Sequence, residues 1–447
     1  MVTLFLLPRN ALMKTNDQTS RRDFLQTSAV VGAVALGVSA LPHVHAAGSD
    51  IIKIGLLGCG GRGCGAVADS LTHAPGTKLV AVSDVFKDKV DGAVKVLDEQ
   101  FKDRVDVPPE RRFADFDGYK SVIPLCDVVL LCTPQHFRPA TLKAAVEAGK
   151  HIFCEKPVAV DAAGIRSVFE SAALAKEKGL NIVTGLINRY SARVRDVVQR
   201  IHDGQIGTVV TARANRMAGP LWTRRRMEGD TEMRYQVRNW VNFNWLAGEY
   251  VNDVTIHQLD VAMWCIGDEW TPVNAFALGG RIVRTEPDAG DMYDTMSVVY
   301  EYADGRPLYA FSRQIPGCYG NAAAHISGSK GSAEIGNVGS GRVAIIGENP
   351  YEAPRDNTRG AYFNQHSTLY NAVRSGGTDY VNNLPYTAKA TMAAILGRMA
   401  AYSGQRVTWD EALNADESFA LDDYAWDAVP PTLPDEQGRY PLALPGK

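Results

Sequence analysis

The sequence predicts a two-part α/β fold: an N-terminal, doubly wound parallel sheet, followed by a C-terminal α+β domain with an open antiparallel sheet. Up to about residue 188, short and almost wholly apolar runs alternate with helical patterns, as expected for parallel strands that helices cover on both faces. A glycine-rich turn directly follows the first apolar run. Beyond about residue 270, short strand-like runs recur between Gly, Asp and Asn, which is typical of an antiparallel sheet.

An export signal precedes both parts. The segment Ser20–Leu25 has the sequence Ser-Arg-Arg-Asp-Phe-Leu, a twin-arginine pattern, and an uncharged stretch rich in Ala, Gly and Val follows it. That stretch is too short to span a bilayer, which takes about 20 apolar residues. Residues 1–47 are therefore predicted to be a signal peptide for the twin-arginine export machinery. The mature protein is predicted to work in the periplasm or cell envelope.

The composition excludes several classes of protein. Of the 447 residues, 45% are hydrophobic and 22% are charged, which excludes disordered, collagen-like and multi-span membrane chains. The 47 Lys and Arg against 50 Asp and Glu leave a formal net charge of −3, so no basic excess suggests a nucleic-acid partner. The seven cysteines stand singly, which fits neither a disulfide framework nor a zinc ribbon. We predict free, buried thiols.

Residues 50–188 are predicted to form the doubly wound domain. Its strands are marked by five apolar runs, at 51–57, 78–83, 127–132, 151–154 and 181–185. The patterns between them are helical, and in such a sheet the ligand binds at the carboxyl ends of the strands.

The pattern changes after residue 188, and 189–405 is predicted to be a substrate-binding and oligomerisation domain. Residues 218–252 are rich in Trp, Arg, Asn and Gly without a regular period, and such long irregular segments are often functional. An open sheet face favours a homo-oligomer, either a dimer or a tetramer. The Pro-rich end, 406–447, is predicted to be an extended strap.

A glycine-rich turn between the first strand and the first helix predicts a nucleotide site. It has the sequence Gly58-Cys59-Gly60-Gly61-Arg62-Gly63, which fits G-x-G-x-x-G. The glycines permit a tight turn and close approach to a pyrophosphate, which the helix N-terminus then binds. Asp84 ends the second strand, where a carboxylate binds the adenosine ribose hydroxyls and repels a 2′-phosphate. NAD is therefore predicted over NADP; the alternative is a structural turn with a surface Asp.

Three further segments carry reactive side chains. Thr133-Pro134-Gln135-His136 and Glu155-Lys156-Pro157 each follow a predicted parallel strand, so they line the same crevice. Asp253 and His257 are four residues apart, which places them on one face of a helix. Taken alone, Glu155-Lys156-Pro157 would be a turn with a surface ion pair, and Asp253 and His257 would be a pair on a helix surface. A zinc site would need a third ligand, and no metal is predicted.

Together, these segments resemble the Gfo/Idh/MocA oxidoreductases over about residues 50–440. The run Arg238-Asn239-Trp240 and the segment His257–Asp260 resemble an exported, twin-arginine subset of that family. The resemblance implies a Rossmann domain followed by an α/β domain, whose open antiparallel sheet commonly forms an oligomer interface. One departure is the approach to Asp253: family members often carry several glycines there, whereas this chain has Gly248-Glu249-Tyr250-Val251-Asn252.

The resemblance also implies roles for individual residues. The catalytic residues it implies are Lys156, Asp253 and His257. The candidates for substrate binding are Arg238, Asn239, Trp240 and His257, with Arg216, Trp222 and Trp245 as further ones, because aromatic faces stack on sugars and Arg and Asn bind hydroxyl groups. The alternative is that the Trp residues pack in the core and the Arg residues form a solvated edge. The cofactor-binding residues that the resemblance implies are Gly58, Gly60, Gly61, Arg62, Gly63, Asp84, Thr133, Pro134, His136, Glu155, Lys156 and Asn188. The remaining candidates, His325 and His366, are expected to be structural.

The chemistry of these groups suits oxidation of a sugar hydroxyl. His257 is a suitable general base, Lys156 can stabilise a developing alkoxide, and Asp253 can orient His257 or bind a neighbouring hydroxyl. The predicted function is NAD-dependent oxidation of a carbohydrate or glycoside, at C3, with a tightly bound cofactor that is recycled internally because the protein is exported. The alternatives are a redox-assisted glycoside hydrolase or lyase, and a non-catalytic protein that binds a sugar or a nucleotide.

Overall fold

The computed structural model describes residues 51–339, 341–355 and 358–446, and the part of the chain so described contains two β-sheets. The predicted signal peptide lies outside these ranges. None of the helices within them is both long enough and apolar enough to cross a membrane.

The first sheet is parallel and doubly wound. Its strands are β1 (Ile52–Leu57), β2 (Thr77–Ser83), β3 (Arg112–Phe113), β4 (Val128–Leu131), β5 (His151–Cys154) and β6 (Ile182–Thr184). Their order is β3-β2-β1-β4-β5-β6, and every neighbouring pair runs parallel. This is the strand order of a Rossmann sheet, so the predicted fold of the N-terminal part is confirmed.

Helices cover both faces of this sheet. They are α1 (Gly61–His73), α2 (Lys87–Phe101), α3 (Gly118–Val122), α4 (Arg138–Glu147) and α5 (Ala162–Glu177). In β4, Val129 and Leu131 face one hydrophobic core, and Val128 and Leu130 face the other. Because both faces are buried, the strand is apolar at every position rather than at alternate ones.

The second sheet is larger and mostly antiparallel. Its strands are β7 (Val209–Ala218), β8 (Asn274–Gly280), β9 (Thr295–Glu301), β10 (Pro307–Gln314), β11 (Asn321–Gly328), β12 (Gly331–Gly336), β13 (Val343–Gly347), β14 (Tyr351–Glu352) and β15 (Val407–Thr408). Their order is β14-β13-β12-β11-β7-β10-β9-β8-β15. The predicted antiparallel sheet is mixed at its centre, where β7 and β10 run parallel, because the chain crosses the end of β7 on its way from β10 to β11.

Helices cover only one face of the second sheet. The helices of this part are α6 (Ala192–His202), α7 (Glu232–Arg238), α8 (Asn244–Ala247), α9 (Ile256–Ile266), α10 (Thr358–Arg374), α11 (Leu384–Ser403) and α12 (Trp409–Leu413). Helix α9 packs against β7 and β11, and helix α11 packs against β8 and β9. In β10, Leu308 and Ala310 are buried on that side, whereas Tyr309 and Phe311 remain partly exposed on the other. The opposite face is therefore open, as predicted.

Helix α10 returns to the first sheet. Although it falls within the range predicted for the second domain, it packs against α1 and the strands β5 and β6. The chain after it also extends the first sheet, because the Ile182 N–H donates to the Val381 carbonyl (2.8 Å) and the Asn383 N–H donates to the Ile182 carbonyl (2.9 Å). Local sequence patterns do not report such long-range docking, so the domain limits at 188 and 405 stay predictions.

The cysteines are unpaired, as predicted, but one of them is exposed. All seven are free thiols, and Cys59, Cys126, Cys154 and Cys265 are buried. The prediction that every thiol is buried is wrong for Cys318, which is exposed on the loop between β10 and β11.

A buried ion pair joins the first sheet to the helices under the second. The Arg189 guanidinium, which follows β6, donates to both carboxylate oxygens of Asp260 on α9 at 2.8–3.0 Å. It also donates to Asp268 (2.7 and 2.8 Å) and lies 3.8 Å from the ring centroid of Tyr386 on α11. A guanidinium with this many partners is fixed in orientation, so it fixes α9 against the edge of the first sheet.

Asp260→Asn tests this attachment. Removing the charge of one partner leaves Arg189 buried and incompletely neutralised, so the free energy of unfolding should fall by about 3 kcal/mol. Urea denaturation measures this change. The matched control is Asp91→Asn, which removes an exposed Lys87–Asp91 pair (2.7 Å) and should change stability by at most about 0.5 kcal/mol. Equal effects of the two substitutions would show that the buried pair does not hold the helix.

Candidate functional site

The glycine-rich turn after β1 has a shape that only glycine permits. Gly58 has φ +95°, and a Cβ there would lie 2.6 Å from the main-chain carbon of Cys132. A Cβ on Gly63 would lie 1.9 Å from the Gly58 carbonyl oxygen. By contrast, a Cβ on Gly60 or Gly61 would meet nothing within 4 Å. The turn is thus tightly packed underneath and open above, which fits a backbone that approaches a pyrophosphate at the N-terminus of α1.

Asp84 lies beside this turn at the end of β2. Its carboxylate accepts hydrogen bonds from the main-chain N–H groups of Cys59 (2.8 Å) and Phe86 (3.0 Å), which fix its position. A cavity of about 370 Å³ adjoins it, and Gly58, Thr133, Pro134 and His136 are among the lining residues. The size falls within the usual range of small-molecule sites, and the position is where the adenosine half of a dinucleotide binds in this fold.

Arg62 presents an unpaired donor at the turn. Its Nε donates to the Glu155 carboxylate (2.5 Å), and its Nη1 lies 3.7 Å from the Asp69 carboxylate. Its Nη2 is buried without a partner, as is the Thr133 hydroxyl. Buried polar atoms nearly always have partners, so these two atoms fit the phosphates and ribose of a bound dinucleotide. Although burial alone would raise the pKa of Glu155, the neighbouring cations, Arg62 first, hold it below its usual value.

Lys156 reaches from the end of β5 to the second half of the molecule. Its Nζ donates to the main-chain oxygen of Asp253 (2.6 Å) and lies 4.0 Å from the Asp253 Oδ1. Burial lowers the pKa of Lys156, and the cations Arg138 and Arg216 add to this effect, while Asp253 and Glu155 oppose it. The structure therefore brings together two of the predicted catalytic residues, which are far apart in the sequence.

Asp253 and His257 lie where a π-helical turn, Val251–Thr255, continues into α9. The Asp253 Oδ1 accepts a hydrogen bond from the Gln135 side chain (2.7 Å). His257 is held through its main-chain oxygen, which accepts from the Asn188 amide (3.3 Å). Its Nδ1 is buried without a partner.

The electrostatics around His257 favour its neutral form. Burial lowers the pKa of His257 well below its usual value of 6.5, and the positive charges of Lys156 and Arg216 lower it further. At neutral pH, the imidazole is therefore uncharged and able to accept a proton.

Two residues of this cluster were not among the catalytic residues predicted from the sequence: Arg216 was only a substrate candidate, and Gln135 was only placed in a segment that lines the crevice. Arg216 lies on β7 and influences the pKa values of Lys156, His257 and Tyr250, and its Nε is buried without a partner. Gln135 positions the Asp253 carboxylate. The signal for Arg216 was the strand alternation, because Ala212 and Ala214 share its face and are buried. A cation on the covered face of a strand indicates a functional position.

Three predicted substrate residues make their contacts elsewhere. Asn239 is fully buried, and its amide is saturated by partners that include the Arg224 N–H (2.8 Å) and the Asp288 carbonyl (2.9 Å). Trp240 packs edge-on against Trp222, with ring centroids 6.0 Å apart.

Arg238 lies on the side of the nucleotide cavity. Its Nη2 lies 3.2 Å from the Asp230 carboxylate, and its guanidinium lies 4.9 Å from the ring centroid of Phe86, two residues beyond Asp84. Because α7 docks beside the end of β2, with Val237 lining the cavity, Arg238 is directed to the adenosine side. We therefore leave Arg238, Asn239 and Trp240 out of the proposed chemistry.

The other histidines have separate roles. His136 is buried, and its Nε2 lies 2.7 Å from the Tyr424 hydroxyl; burial lowers the pKa of His136 to about 4. His366 is buried, stacks on Phe153 (4.6 Å between centroids) and pairs with the Ser70 hydroxyl (3.0 Å), as suits a structural residue. Within the described ranges, no group of three or more His, Cys, Asp or Glu side chains is arranged to hold a metal ion.

Comparison with known protein families matches three parts of the chain. Residues 52–186 match the NAD-binding Rossmann fold of the Gfo/Idh/MocA oxidoreductase family, and residues 194–334 match a C-terminal domain of that family. Residues 18–37 match the signal sequence of the twin-arginine translocation pathway.

Individual relatives agree with this match. The chain is 26% identical to an inositol 2-dehydrogenase from Rhizobium meliloti, over 68% of this chain and 81% of that protein. The fold is similar to that of scyllo-inositol dehydrogenase from Lactobacillus casei with bound NAD(H) and scyllo-inositol (TM-score 0.61, 20% identity, 80% of this chain and 99% of that one). It is equally similar to aldose-aldose oxidoreductase from Caulobacter crescentus (TM-score 0.62, 20% identity, 80% and 99%).

The nucleotide turn, the Rossmann strand order and the two matched domains agree on one conclusion. The chain belongs to the Gfo/Idh/MocA family, as an NAD-dependent oxidoreductase with a twin-arginine export signal.

Proposed function

We propose that the protein oxidises a ring hydroxyl of a carbohydrate or glycoside, at C3, with a tightly held NAD. The observation that carries this proposal is the junction of Lys156, Asp253 and His257, in which an uncharged imidazole with an unpartnered Nδ1 lies near a partly buried ammonium. Such a pair can remove a hydroxyl proton and stabilise the charge that develops on the oxygen.

Each residue of the cluster has a part in the proposed reaction. His257 takes the proton of the substrate hydroxyl, while Lys156 donates a hydrogen bond to the same oxygen. Asp253, held by Gln135, keeps Lys156 in place through its main-chain oxygen and binds an adjacent hydroxyl through its carboxylate. NAD, when bound, accepts the hydride that leaves the carbinol carbon.

The proposed class of substrate rests on the charged side chains at the site and on the substrates of the relatives. Several relatives are named inositol dehydrogenases, whose substrate is a ring that carries hydroxyl groups. That similarity supports a cyclic polyol, a sugar ring or a glycoside for this chain. With Arg216 and Lys156 both at the site, the pocket presents two cations to the oxygens of such a ring.

Export supports a retained cofactor. A protein that leaves the cytoplasm through the twin-arginine pathway does so already folded, and we propose that NAD travels with it to the periplasm or the cell envelope. Without a surrounding nicotinamide pool, the cofactor is recycled inside the site, either by transfer between two sugars or by oxidation and reduction within one turnover.

The open face of the second sheet supports a homo-oligomer, a dimer or tetramer. On this face, Tyr309 and Phe311 stack with ring centroids 6.4 Å apart. The strand register places Phe276 and Leu278 level with them on β8, with Val299 and Ser297 of β9 in between. The Leu278 side chain is 80% exposed, which is unusual for a leucine within a strand. Exposed aromatic and aliphatic side chains on an open sheet face are typical of a protein–protein interface, and we propose that a second copy covers this face.

The catalytic roles are tested by His257→Ala and Lys156→Ala. Each should lower kcat for sugar oxidation by roughly 10²–10⁴-fold, because the base or the oxyanion donor is lost. Substrates are found by mass spectrometry of products from a panel of inositols, sugars and α- and β-glycosides. The control His202→Ala, on α6, should keep wild-type activity. Wild-type rates in both site variants would overturn the assignment, and hydrolysed products would favour redox-assisted hydrolysis.

The influence of Arg216 on His257 gives a pH test. Because His257 must be neutral to act as a base, kcat/KM falls as the pH drops through its pKa, which lies well below 6.5. Arg216→Gln removes a positive charge nearby, so the pKa of His257 should rise and the acid limb should move up by about one pH unit. Arg195→Gln, on the exposed side of α6, is the control. An acid limb unmoved by Arg216→Gln would assign that limb to another group.

The proposed interface is tested by Leu278→Arg. A buried arginine at the centre of an apolar contact is costly, so the assembly should dissociate to monomers. Light scattering coupled to size-exclusion chromatography measures the mass. Val96→Arg changes an exposed residue on α2 and should leave the mass unchanged. A monomeric wild-type protein, or an intact Leu278→Arg oligomer, would exclude this face as the interface.

A further inference from the structure

The C-terminal segment Phe419–Ala428 crosses the edge of the first sheet at which the nucleotide turn lies. It is fixed at one end by the Phe419 N–H, which donates to the Asp161 carboxylate at the start of α5 (2.7 Å). At the other end, the Trp426 carbonyl accepts a hydrogen bond from the Thr231 hydroxyl before α7. The segment thus spans from one half of the molecule to the other.

Aromatic contacts hold Tyr424 and Trp426 of this segment against residues that follow three of the strands. Trp426 packs on Phe86, which follows β2 (5.2 Å between centroids), and on Phe116, which follows β3 (4.8 Å). Tyr424 packs on Phe116 (6.0 Å) and on Phe137, which follows β4 (5.6 Å). Since these contacts lie on both sides of the nucleotide crevice, the segment bridges the crevice.

The segment also forms part of the cavity beside Asp84. Asp422, Asp423 and Tyr424 line the same cavity of about 370 Å³ as Gly58 and Asp84. The Tyr424 hydroxyl lies 2.7 Å from the Nε2 of His136, another lining residue, which is buried and whose Nδ1 has no partner.

The lining of this cavity is mainly negative, and the neighbouring Arg238, which lies against Phe86, is paired with Asp230. Its lining contains five carboxylates, and Lys120 is the only Lys or Arg among the lining residues. The five carboxylates belong to Asp84, Asp115, Asp117, Asp422 and Asp423. A ribose with free hydroxyls is compatible with this lining, whereas a 2′-phosphate would add two negative charges to it.

We propose that Phe419–Ala428 is a wall of the cofactor site: Tyr424 and Trp426 retain the adenosine half of NAD, and Asp422 and Asp423 act with Asp84 to exclude NADP. The inference rests on the proposed retention of NAD and deepens it. The nucleotide leaves only when the segment detaches from Phe86, Phe116 and Phe137, so its dissociation is limited by that opening.

Retention is tested by the dissociation rate of NAD. The full mature protein is loaded with isotopically labelled NAD, and its exchange with unlabelled NAD is followed after rapid separation. Tyr424→Ala should speed exchange by roughly tenfold or more, because the aromatic packing and the contact with His136 are lost. Tyr424→Phe, which keeps the packing, should have a smaller effect and guards against misfolding. Leu433→Ala, at an exposed position further along the tail, is the control, and equal exchange in all four proteins would overturn the proposal.

Selectivity is tested separately by calorimetric binding of NAD and NADP to the protein stripped of nucleotide. Asp422→Asn with Asp423→Asn should improve NADP binding relative to NAD by roughly tenfold, with NAD affinity nearly unchanged. The matched control is Asp427→Asn with Asp435→Asn, outside the cavity lining. An unchanged ratio would overturn the role of the two carboxylates. Neither measurement requires turnover, so failure of the proposed sugar oxidation leaves both tests intact.

Discussion

The proposed active site depends on the attachment of α9 to the edge of the first sheet, which the Arg189–Asp260 ion pair provides. Lys156 comes from the end of β5 and His257 from α9, so their relation is set by how the two halves dock. Burying a guanidinium and a carboxylate is costly, and here the cost is offset by several charge-assisted hydrogen bonds and by stacking on Tyr386. An apolar contact would bury similar area without fixing the rotation of the helix.

Once docked, the charges of the cluster determine which group can act as a base. Around His257 the positive charges of Lys156 and Arg216 prevail, although the carboxylates of Glu155 and the partly buried Asp253 lie close to Lys156. In water, an imidazole with a normal pKa would be partly protonated near pH 6.5. In this environment it stays neutral, while Lys156 remains close enough to stabilise an oxyanion. Docking and burial thus leave His257 able to accept a proton and Lys156 able to stabilise an oxyanion.

The sequence predicted what local patterns encode and missed what long-range docking decides. Five of the six strands of the first sheet, the glycine turn with Asp84, and the Asp253/His257 pair follow from apolar runs and from spacing along the chain. The sequence missed β3, because Arg112–Phe113 is only two residues long and carries no apolar run. Helix α10 looked like part of the second domain, and only tertiary contacts place it on the first sheet. Likewise, Arg238–Trp240 carried suitable side chains, but α7 docks on the adenosine side, so these residues lie beside Phe86, Asp288 and Trp222.

In the segment before Asp253, Glu249 adopts a backbone conformation that usually requires glycine. Glu249 has φ +84°, a left-handed conformation that costs a residue with a side chain about 1–2 kcal/mol. Its carboxylate is buried and accepts hydrogen bonds from the N–H groups of Tyr250 (2.9 Å) and Tyr293 (3.0 Å) and from the Tyr402 hydroxyl. The Glu249 carbonyl in turn accepts from the Asp253 N–H (2.9 Å) and the Asn252 N–H (3.1 Å), which lie within the π-helical turn. The three hydrogen bonds to the Glu249 side chain offset this strain, and they link the turn to the residues before β9 and to α11. A glycine-rich run would adopt the same turn because its backbone is flexible. Here the hydrogen bonds of Glu249 hold the turn, so Asp253 keeps its position without a glycine-rich run.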